Sequence, residues 1–337
     1  MIAEGRPYTN GNSFRAKAET LARRYRATDM QLTGFDKYGH ILTDPDAQLG
    51  MNFLPSYRAA IMDALQRRNE DGKGIDLDRT TKNMLSSQAM CFNLFVPLAL
   101  DKAFAAKCLN GIIGDVSIVR SIQIEFTPPN KVFHDQTLLS GVDCDALIVY
   151  QKRDGCHALA VVETKFVEQE FSICGFRKHT QRNKCPEGTK AGSDFAGCRY
   201  HHLKKYKYWE VSDRSGIFDM NSLRTQPCPF GGMLWQLWTN QALAFALTKE
   251  LNCQEYKYLI LYPAANTELT HSGSVFDQFR THLISSEHFQ PIALEKLMSE
   301  LQTNAIGNQS EKWVKEFVAR YDVLSSATSN KQNNARG

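Results

Sequence analysis

Two acidic residues and a lysine in the middle of the chain could carry out chemistry, because apolar residues surround them. Asp145 begins the run DALIVY, and Glu163 and Lys165 lie within VVETKF. Carboxylates bind hard cations such as Mg²⁺, which keep several waters and reach phosphate oxygens. Such a cation neutralises charge on a phosphate and lowers the pKa of a bound water, which a neighbouring lysine can orient or help to deprotonate. Together these residue types support metal-dependent hydrolysis of a phosphodiester bond.

The spacing of these residues predicts that they meet at one end of a β-hairpin. Residues two apart on a strand point to the same face, so Glu163 and Lys165 project together while Thr164 points away. The pair Asp154–Gly155 favours a tight hairpin turn. Asp145 lies nine residues before this aspartate, and Glu163 lies eight residues after this glycine. Antiparallel pairing therefore brings both carboxylates and the ammonium together.

Four further acidic residues lie near this cluster in the sequence. Asp143 shares a face with Asp145 on a regular strand and stays open as the alternative ligand. We prefer Asp145, because it leads directly into the apolar run ALIVY. Glu125 is expected on the solvated face of a preceding strand, which we favour over a role as an accessory ligand. Glu168 and Glu170 follow the cluster and are expected at the surface.

Periodicity predicts the elements that must position the cluster. Runs that alternate apolar and polar residues, or are wholly apolar, predict strands at residues 118–126, 139–151, 157–166 and 256–262. Helical spacing and proline at a first-turn position predict helices at residues 14–26, 55–68, 80–109 and 230–251. The third is predicted as one long buried helix with a kink near Pro97. Residues 38–50 are predicted as a turn-rich connector, residues 263–324 as helices and residues 325–337 as a disordered tail.

An aspartate, a hairpin and then Glu-x-Lys, preceded by a helix and a strand, resemble the PD-(D/E)XK nuclease superfamily. The segments SSQAMCFNLFVPL and GGMLWQLWTNQALA are similar to its restriction-endonuclease-like branch. The resemblance implies an α/β (α+β) fold with an α-β-β-β-α-β core over residues 80–265, in which helices flank a mixed central sheet. Cys144 replaces the proline that usually precedes the motif aspartate. That departure leaves the aspartate itself in place.

The resemblance also implies roles for individual residues in the cleavage of DNA. Asp145 and Glu163 would hold Mg²⁺ or Mn²⁺, and Lys165 would position the attacking water. Gln88 lies where superfamily members often place an acidic or amide residue that faces the metal, and a buried glutamine that caps backbone groups is the alternative. Gln236 resembles a glutamine that contacts the site or the DNA in exonuclease-like branches, and a hydrogen bond between helices is its alternative.

A basic insertion follows the predicted catalytic strand, at residues 174–209. Nine Lys or Arg residues face two acids there, a local excess of +7, whereas the whole chain carries only +4. Basic side chains neutralise phosphates, and aromatic faces stack on exposed bases. The insertion is therefore the predicted nucleic-acid contact, and a solvated loop and helix face is the alternative. Its predicted phosphate-binding residues are Arg177, Lys178, Arg182, Lys184, Arg199, Lys204 and Lys205, and its interleaved aromatics are Phe176, Phe195, Tyr200, Tyr206, Tyr208 and Trp209.

Four of the nine cysteines, Cys174, Cys185, Cys198 and Cys228, lie in or near this insertion. Four thiolates can hold Zn²⁺ or an iron–sulfur cluster, and some nucleases of the superfamily carry such a cluster. The intervals of ten, twelve and twenty-nine residues lack the short spacing of a zinc knuckle. Unpaired cysteines are therefore the favoured interpretation. The histidines His179, His201 and His202 are additional candidate ligands, and the other five cysteines read as small core residues.

Composition sets the broader class of the protein. The 337 residues are 42% hydrophobic and 23% charged, which predicts a globular chain able to bury a sizeable core. No apolar run approaches the roughly 18 residues that a membrane span needs, and no signal-type segment begins the chain. We therefore expect no membrane association, a cytoplasmic location and mostly reduced cysteines.

Three interpretations of organisation and function remain. The favoured one has a nuclease core at residues 80–265, a helical N-terminal appendage at 1–79 and a helical C-terminal segment at 266–324. In this interpretation the protein acts on DNA and is able to form a homodimer. Defence against foreign DNA is the role that the resemblance suggests, and DNA repair or the processing of mobile elements is the alternative. The alternatives are a non-catalytic nucleic-acid-binding module of the same fold and a zinc-stabilised interaction protein.

Overall fold

The computed structural model describes residues 3–9, 11, 13–71, 74–129, 131–134, 142–178, 184–186, 188–271 and 273–323. Within them lie five strands, β1 Ile118–Phe126, β2 Cys144–Gln151, β3 His157–Thr164, β4 Glu255–Tyr262 and β5 Phe289–Ala293. The α-helices of the same residues are α1 Phe14–Thr28, α2 Asp44–Gln48, α3 Arg58–Glu70, α4 Leu77–Lys82, α5 Ser87–Leu100, α6 Lys102–Ile113, α7 Arg199–Lys204, α8 Tyr208–Ser215, α9 Met220–Thr225, α10 Leu234–Glu250, α11 Val275–Arg280, α12 Leu294–Asn304 and α13 Asn308–Tyr321. The chain thus has a mixed α/β architecture.

The five strands form one mixed sheet in the order β1-β2-β3-β4-β5. The first three strands are antiparallel, whereas β4 runs parallel to β3 and β5 runs parallel to β4. The predicted hairpin between β2 and β3 is confirmed, and Gly155 supplies the positive φ of +88° at its turn. The pairing of β2 with β3 ends at Ala146 and Val162, and continuing this register by one residue places Asp145 opposite Glu163.

Each face of the sheet packs against its own group of helices. Ala146, Ile148 and Val162 face a core that also contains side chains of α1, α5, α6, α12 and α13. Leu147 and Val161 face the opposite core, with side chains of α8, α10 and α11. The alternation of strand side chains therefore divides the molecule into two layers around the sheet. The first and last helices belong to the same core as one sheet face.

The single long helix predicted over residues 80–109 is wrong. A short helix, α4, ends at Lys82, and two separate helices, α5 and α6, meet at Asp101 with a bend of 120°. The Asp101 side chain caps α6 by accepting a hydrogen bond from the Phe104 amide at 2.9 Å, which starts a new helix there. Pro97 lies inside α5. In the described parts of the chain no single helix is long and apolar enough to cross a membrane, and this bent pair reaches that length and composition only jointly.

The prediction of helices alone after residue 263 is also wrong, because β5 extends the sheet there. Strand β5 contains Pro291, which cannot donate a backbone hydrogen bond. Proline is tolerated in a strand at the edge of a sheet, where one side of the backbone has no neighbour. Edge position and proline together weaken the sequence pattern of this strand. The predicted tail at residues 325–337 lies outside the described residues.

A buried polar network links the N-terminal segment, α5 and the C-terminal helix. The side-chain oxygen Oδ1 of Asn93 accepts from the Leu54 backbone amide at 2.8 Å. The side-chain nitrogen Nδ2 of Asn93 donates to the Asn52 backbone carbonyl at 3.2 Å and to the Tyr321 hydroxyl at 2.9 Å. The Arg320 guanidinium donates to the same Asn52 carbonyl at 2.7 Å. Buried polar groups are costly unless they are paired, so this network fixes how these three segments pack.

We expect Asn93→Ala to lower the free energy of unfolding by about 3 kcal/mol, because it leaves the buried Leu54 amide and Tyr321 hydroxyl without this partner. Urea denaturation followed by circular dichroism measures the change. Asn69→Ala, at an exposed position near the end of α3, is the control and should change stability by no more than about 0.5 kcal/mol. A loss below about 1 kcal/mol for Asn93→Ala would show that the network does not hold these segments together.

Candidate active site

Two neighbouring strand ends, the start of β2 and the end of β3, bring the predicted site residues together. Asp145 is the second residue of β2, Glu163 is the penultimate residue of β3, and Lys165 follows β3 directly. Lys165 continues the backbone pairing with β4, because its amide donates to the Leu261 carbonyl at 2.8 Å. Glu163 is only 3% exposed and Lys165 only 7% exposed. The structure therefore places a buried charged cluster at one end of an apolar sheet.

Glu163 lies at the centre of a hydrogen-bond network with helix α10. One carboxylate oxygen accepts from Gln236 Nε2 at 2.8 Å and lies 3.0 Å from Lys165 Nζ, and the other accepts from Asn240 Nδ2 at 3.2 Å. Gln236 Oε1 in turn accepts from Lys165 Nζ at 3.2 Å and from the Ser172 amide at 3.1 Å. The predicted Gln236 thus reaches the site and fixes the relative position of Glu163 and Lys165.

Asp145 is held by the residue between the two charged residues of the motif. Its Oδ2 accepts from the backbone amide of Thr164 at 2.6 Å and also from the Thr164 hydroxyl. That hydroxyl lies 3.4 Å from the Ser87 carbonyl at the start of α5. Neither Thr164 nor Asn240 was predicted as part of the site. Thr164 contributes from the last position of β3. Asn240 is one turn after Gln236 on α10, a spacing that could have indicated it.

The electrostatics of the site reflect carboxylates removed from water. Burial and the charge of Glu163 raise the pKa of Asp145 from 3.8 to about 7, against the hydrogen bonds from Thr164. Burial also raises the pKa of Glu163, against the charge of Lys165. Burial alone would lower the pKa of Lys165, but the charges of Glu163, Glu168 and Asp145 together outweigh it. The lysine is therefore an ammonium that donates hydrogen bonds, and the clustered carboxylates would be stabilised by a cation.

Glu125 corrects an expectation, because it does not lie on a solvated strand face. It is 5% exposed, and β1 carries it with a φ of +52°, a backbone conformation that is uncommon for a residue with a side chain. Burial and the charge of Asp145 raise its pKa well above its usual range. A hydrogen bond with Gln88 opposes this rise in pKa. Glu125 therefore belongs to the buried acidic cluster around Asp145.

Gln88 lies beside the site and also caps backbone groups, so both predicted roles fit its position. Its Nε2 donates to the Gly74 carbonyl at 2.8 Å, and its Oε1 accepts from the Asp76 amide at 3.2 Å. Glu168, expected at the surface, is half-buried and accepts from the Ser87 hydroxyl and the Phe166 amide, each at 2.9 Å. Its charge also raises the pKa of Lys165. Glu170 and Asp143 are exposed.

The basic side chains of the insertion have different degrees of exposure. Most of the lysines are exposed, at Lys178, Lys184, Lys190, Lys204, Lys205 and Lys207. Arg177 and Arg199 are half-buried. The predicted Arg182 and His179 lie outside the described residues. The exposed lysines thus present positive charge at the surface of the insertion.

The predicted use of the aromatic residues in base stacking is wrong for most of them. Four of these rings are buried, at Tyr200, Tyr206, Tyr208 and Trp209. The Tyr200 ring stacks on Trp235 of α10 with centroids 4.6 Å apart, and Trp209 lies 4.8 Å from Trp238. Burial of large rings is a major source of stabilisation, so these aromatics anchor the insertion to α10.

The four cysteines of the insertion region come from separate segments and lie near one another. Burial raises the pKa of Cys174 and of Cys228 to about 12, and neighbouring thiols of the four contribute to that rise. Among the described His, Cys, Asp and Glu residues, no group of three or more is arranged to hold a metal ion. A zinc or iron–sulfur site here stays a prediction. The candidate ligand His201 instead lies 2.8 Å from Glu210 through its Nε2.

Comparison with known proteins agrees with this geometry. A family model of the PD-(D/E)XK nuclease superfamily matches residues 10–322. No curated protein and no solved structure matches the chain significantly. The match covers the helices on both sides of the sheet as well as the strands.

In EDTA, the pH dependence of stability should report Asp145, which is half-buried by solvent exposure. Because its pKa is raised from 3.8 to about 7 on folding, the folded protein keeps a proton between these values that the unfolded chain releases. This stabilisation is complete below about pH 4 and is lost as the pH rises through about 7. Asp145→Asn is neutral and can still accept from Thr164. We therefore expect the variant to gain stability relative to wild type between about pH 5 and about pH 8 in urea denaturation.

Asp63→Asn, at an exposed position on α3, is the control for this measurement. The difference in free energy of unfolding between this variant and wild type should be the same at about pH 5 and about pH 8, because the side chain of Asp63 is exposed. If Asp145→Asn also shows the same difference at both pH values, burial does not perturb the titration of Asp145.

Proposed function

The chain belongs to the PD-(D/E)XK nuclease superfamily, and from this we propose that it hydrolyses phosphodiester bonds in DNA with Mg²⁺. The observation that carries the proposal is the meeting of Asp145, Glu163 and Lys165 at one end of the sheet. Members of this superfamily are usually nucleases. Glu163 and Lys165 are both present and form a buried charged pair. Burying two charges costs free energy, so their presence favours an enzyme over a non-catalytic module.

Asp145 and Glu163 are the residues that would hold the cation. Their oxygens are the hard ligands that Mg²⁺ prefers, and two protein carboxylates are sufficient because waters and substrate phosphate complete the coordination. The raised pKa values of both acids indicate that a positive charge between them is favoured. Bound there, Mg²⁺ neutralises charge on the scissile phosphate and activates a water for attack.

Lys165 would orient the attacking water and donate a hydrogen bond to the phosphate. The charges around it keep its amine protonated, so it serves as a hydrogen-bond donor rather than as a proton acceptor. Its Nζ lies 4.5 Å from the centre of the Phe171 ring, and this cation–π contact stabilises the ammonium. Gln236 and Glu163 also contact this ammonium through their side-chain oxygens. The ammonium is therefore positioned before substrate arrives.

Gln236 is a positioning residue in this proposal. It contacts Glu163 and Lys165 together and also holds the amide of Ser172, in the segment that leads toward the basic insertion. Helix α10 therefore connects the charged pair to the segment that would contact DNA. The exposed lysines of the insertion, including Lys204 and Lys205, would bind phosphates along the strand.

We expect purified protein to cleave plasmid or single-stranded DNA with Mg²⁺ or Mn²⁺ and not with EDTA. Glu163→Gln and Lys165→Met should each lower the rate by about 10²-fold or more, because the first removes a charged ligand of the cation and the second removes the ammonium that would orient the water and contact the phosphate. Gel electrophoresis over time measures the rates. Glu255→Gln, at the opposite end of the sheet on β4, is prepared identically and should cleave as wild type does. Equal rates for all four proteins would contradict the proposal.

Binding should separate the role of the insertion from that of the charged cluster. We expect the double variant Lys204→Ala, Lys205→Ala to bind DNA more weakly in EDTA and to reduce the slope of log affinity against log salt by about 2. Fluorescence anisotropy with labelled DNA at several salt concentrations measures this slope. The double variant Lys296→Ala, Lys315→Ala removes two exposed lysines of α12 and α13 and is the control. If both double variants lower the slope equally, the insertion is not a specific contact.

A further inference from the structure

Helix α4 and the residues just before it, 74–76, contact the candidate active site, although they begin within the region predicted as an N-terminal appendage. Gln88, beside the site, donates to the Gly74 carbonyl at 2.8 Å and accepts from the Asp76 amide at 3.2 Å. A Cβ at Gly74 would lie 3.2 Å from Asp143 Oδ2 and 3.6 Å from Glu125 Oε2. This loop therefore packs against two acidic side chains near the strand ends.

Arg79 of α4 extends its side chain toward the segment that follows Lys165. Its Nη2 donates to Glu168 Oε1 at 2.5 Å. Against burial, which would lower it, the charges of Glu163 and Glu168 raise the pKa of Lys165. The side chain of Arg79 is 48% exposed, whereas that of Glu168 is 20% exposed. Arg79 thus presents a positive charge to solvent beside the buried charged pair.

The contacts of Glu168 fix its position. Its carboxylate accepts from the Ser87 hydroxyl and from the Phe166 amide, each at 2.9 Å. Its backbone carbonyl accepts from Asn266 Nδ2 at 2.9 Å, and Asn266 is completely buried. These bonds join Glu168 to the start of α5, to the residues after β3 and to the loop after β4. The partner that orients Arg79 is therefore itself fixed by three separate segments.

Arg79 and helix α10 lie on opposite sides of the end of β3. Glu163 accepts hydrogen bonds from two side chains of α10. Thr164, the next residue along the strand, points the other way, and its hydroxyl lies 3.4 Å from the Ser87 carbonyl at the start of α5. Ser87 also contacts Glu168, the partner of Arg79. The basic insertion packs on α10, so Arg79 supplies positive charge from the α5 side of the site.

The guanidinium of Arg79 has donors left for a further ligand. Glu168 is the only acid within ion-pair distance of it in the part of the chain that the structure describes, and the printed contact uses one nitrogen. The acids next to it on α4 have other partners: Asp76 accepts from the Arg79 backbone amide at 3.0 Å, and Asp78 lies 2.6 Å from Lys82. A guanidinium carries five donors in a planar fork that matches phosphate oxygens. The exposed donors of Arg79 therefore suit a phosphate.

We propose that Arg79 binds a phosphate that flanks the scissile one, so that the DNA strand is contacted from the α5 side by Arg79 and from the α10 side by the lysines of the insertion. Glu168 is the positioning residue for Arg79. The inference rests on the proposed nuclease function for the presence of DNA at the site. A phosphate contact carries no base preference, so Arg79 contributes affinity and register rather than sequence specificity.

DNA binding in EDTA tests this contact without catalysis, by fluorescence anisotropy of labelled double-stranded DNA over a range of salt concentrations. We expect Arg79→Ala to lower affinity by about fivefold to tenfold and the slope of log affinity against log salt by about 1, because one phosphate contact is lost. Arg79→Lys keeps the charge and should keep the slope. Arg120→Ala removes an exposed arginine that contacts Gln151 at the opposite end of the sheet, and should bind as wild type does. Equal slopes for Arg79→Ala and Arg120→Ala would overturn the proposal.

A Glu168→Gln background separates a direct contact with DNA from an ion pair that merely masks the charge of Glu168. We expect Arg79→Ala to lower the slope by about 1 in this background as well, since the guanidinium itself contacts the phosphate. Loss of this effect when Glu168 is neutral would show that Arg79 acts only on Glu168, and the proposal would fail. A partly exposed ion pair contributes little to stability, so the Tm of Arg79→Ala should stay within about 3 °C of wild type. A larger fall in Tm with an unchanged slope would mark a purely structural pair and also overturn the proposal.

Cleavage assays on the same proteins keep the two proposals separate. With Mg²⁺, we expect Arg79→Ala to raise KM for DNA by about tenfold and to change kcat by less than about threefold, because the contact lies away from the reacting phosphate. If Arg79→Ala weakens DNA binding but no protein cleaves DNA, the contact stands and the nuclease proposal fails. If wild type cleaves DNA and Arg79→Ala matches it in affinity, slope and KM, only the role of Arg79 fails.

Discussion

The burial of carboxylates at one end of an otherwise apolar sheet is the constraint on which the rest of the structure depends. Glu163 and Glu125 are almost completely buried, and Asp145 stands between them. Like charges in a low-dielectric environment repel strongly. The fold meets part of this cost with the ammonium of Lys165 and with donors from Gln236, Asn240 and Thr164. A bound cation would offset the remaining repulsion between the carboxylates. The stability of this region is therefore connected to its proposed chemistry.

The surrounding elements supply the donors and exclude water. Helix α10 presents Gln236 and Asn240 to Glu163, and the start of α5 places Ser87 and Gln88 beside Thr164 and Glu125. The rings of the basic insertion pack on α10 rather than facing solvent. The insertion is thereby anchored to the same helix that positions the charged pair, while its lysines remain exposed. Catalytic and binding groups would therefore share one rigid support.

Much of the fold could be predicted because its signals are local. The alternation of β1, the turn at Gly155 and the apolar strand β4 depend on neighbouring residues, and each is confirmed. The break at Asp101 and the edge strand β5 were missed. In the first case an apolar pattern concealed a cap, and in the second the proline disguised an edge strand whose pairing partner lies about thirty residues earlier, in β4.

The sequence by itself determined the pairing of Asp145 with Glu163 and Lys165, because the period of a strand and the length of a hairpin follow from covalent geometry. It also indicated Gln236, through resemblance. Only the tertiary structure decided the environment of Glu125, the contacts of Thr164 and Asn240, and the burial of the aromatic rings. These properties depend on which distant segments pack together, as the burial of Glu125 beside Asp145 and Gln88 illustrates.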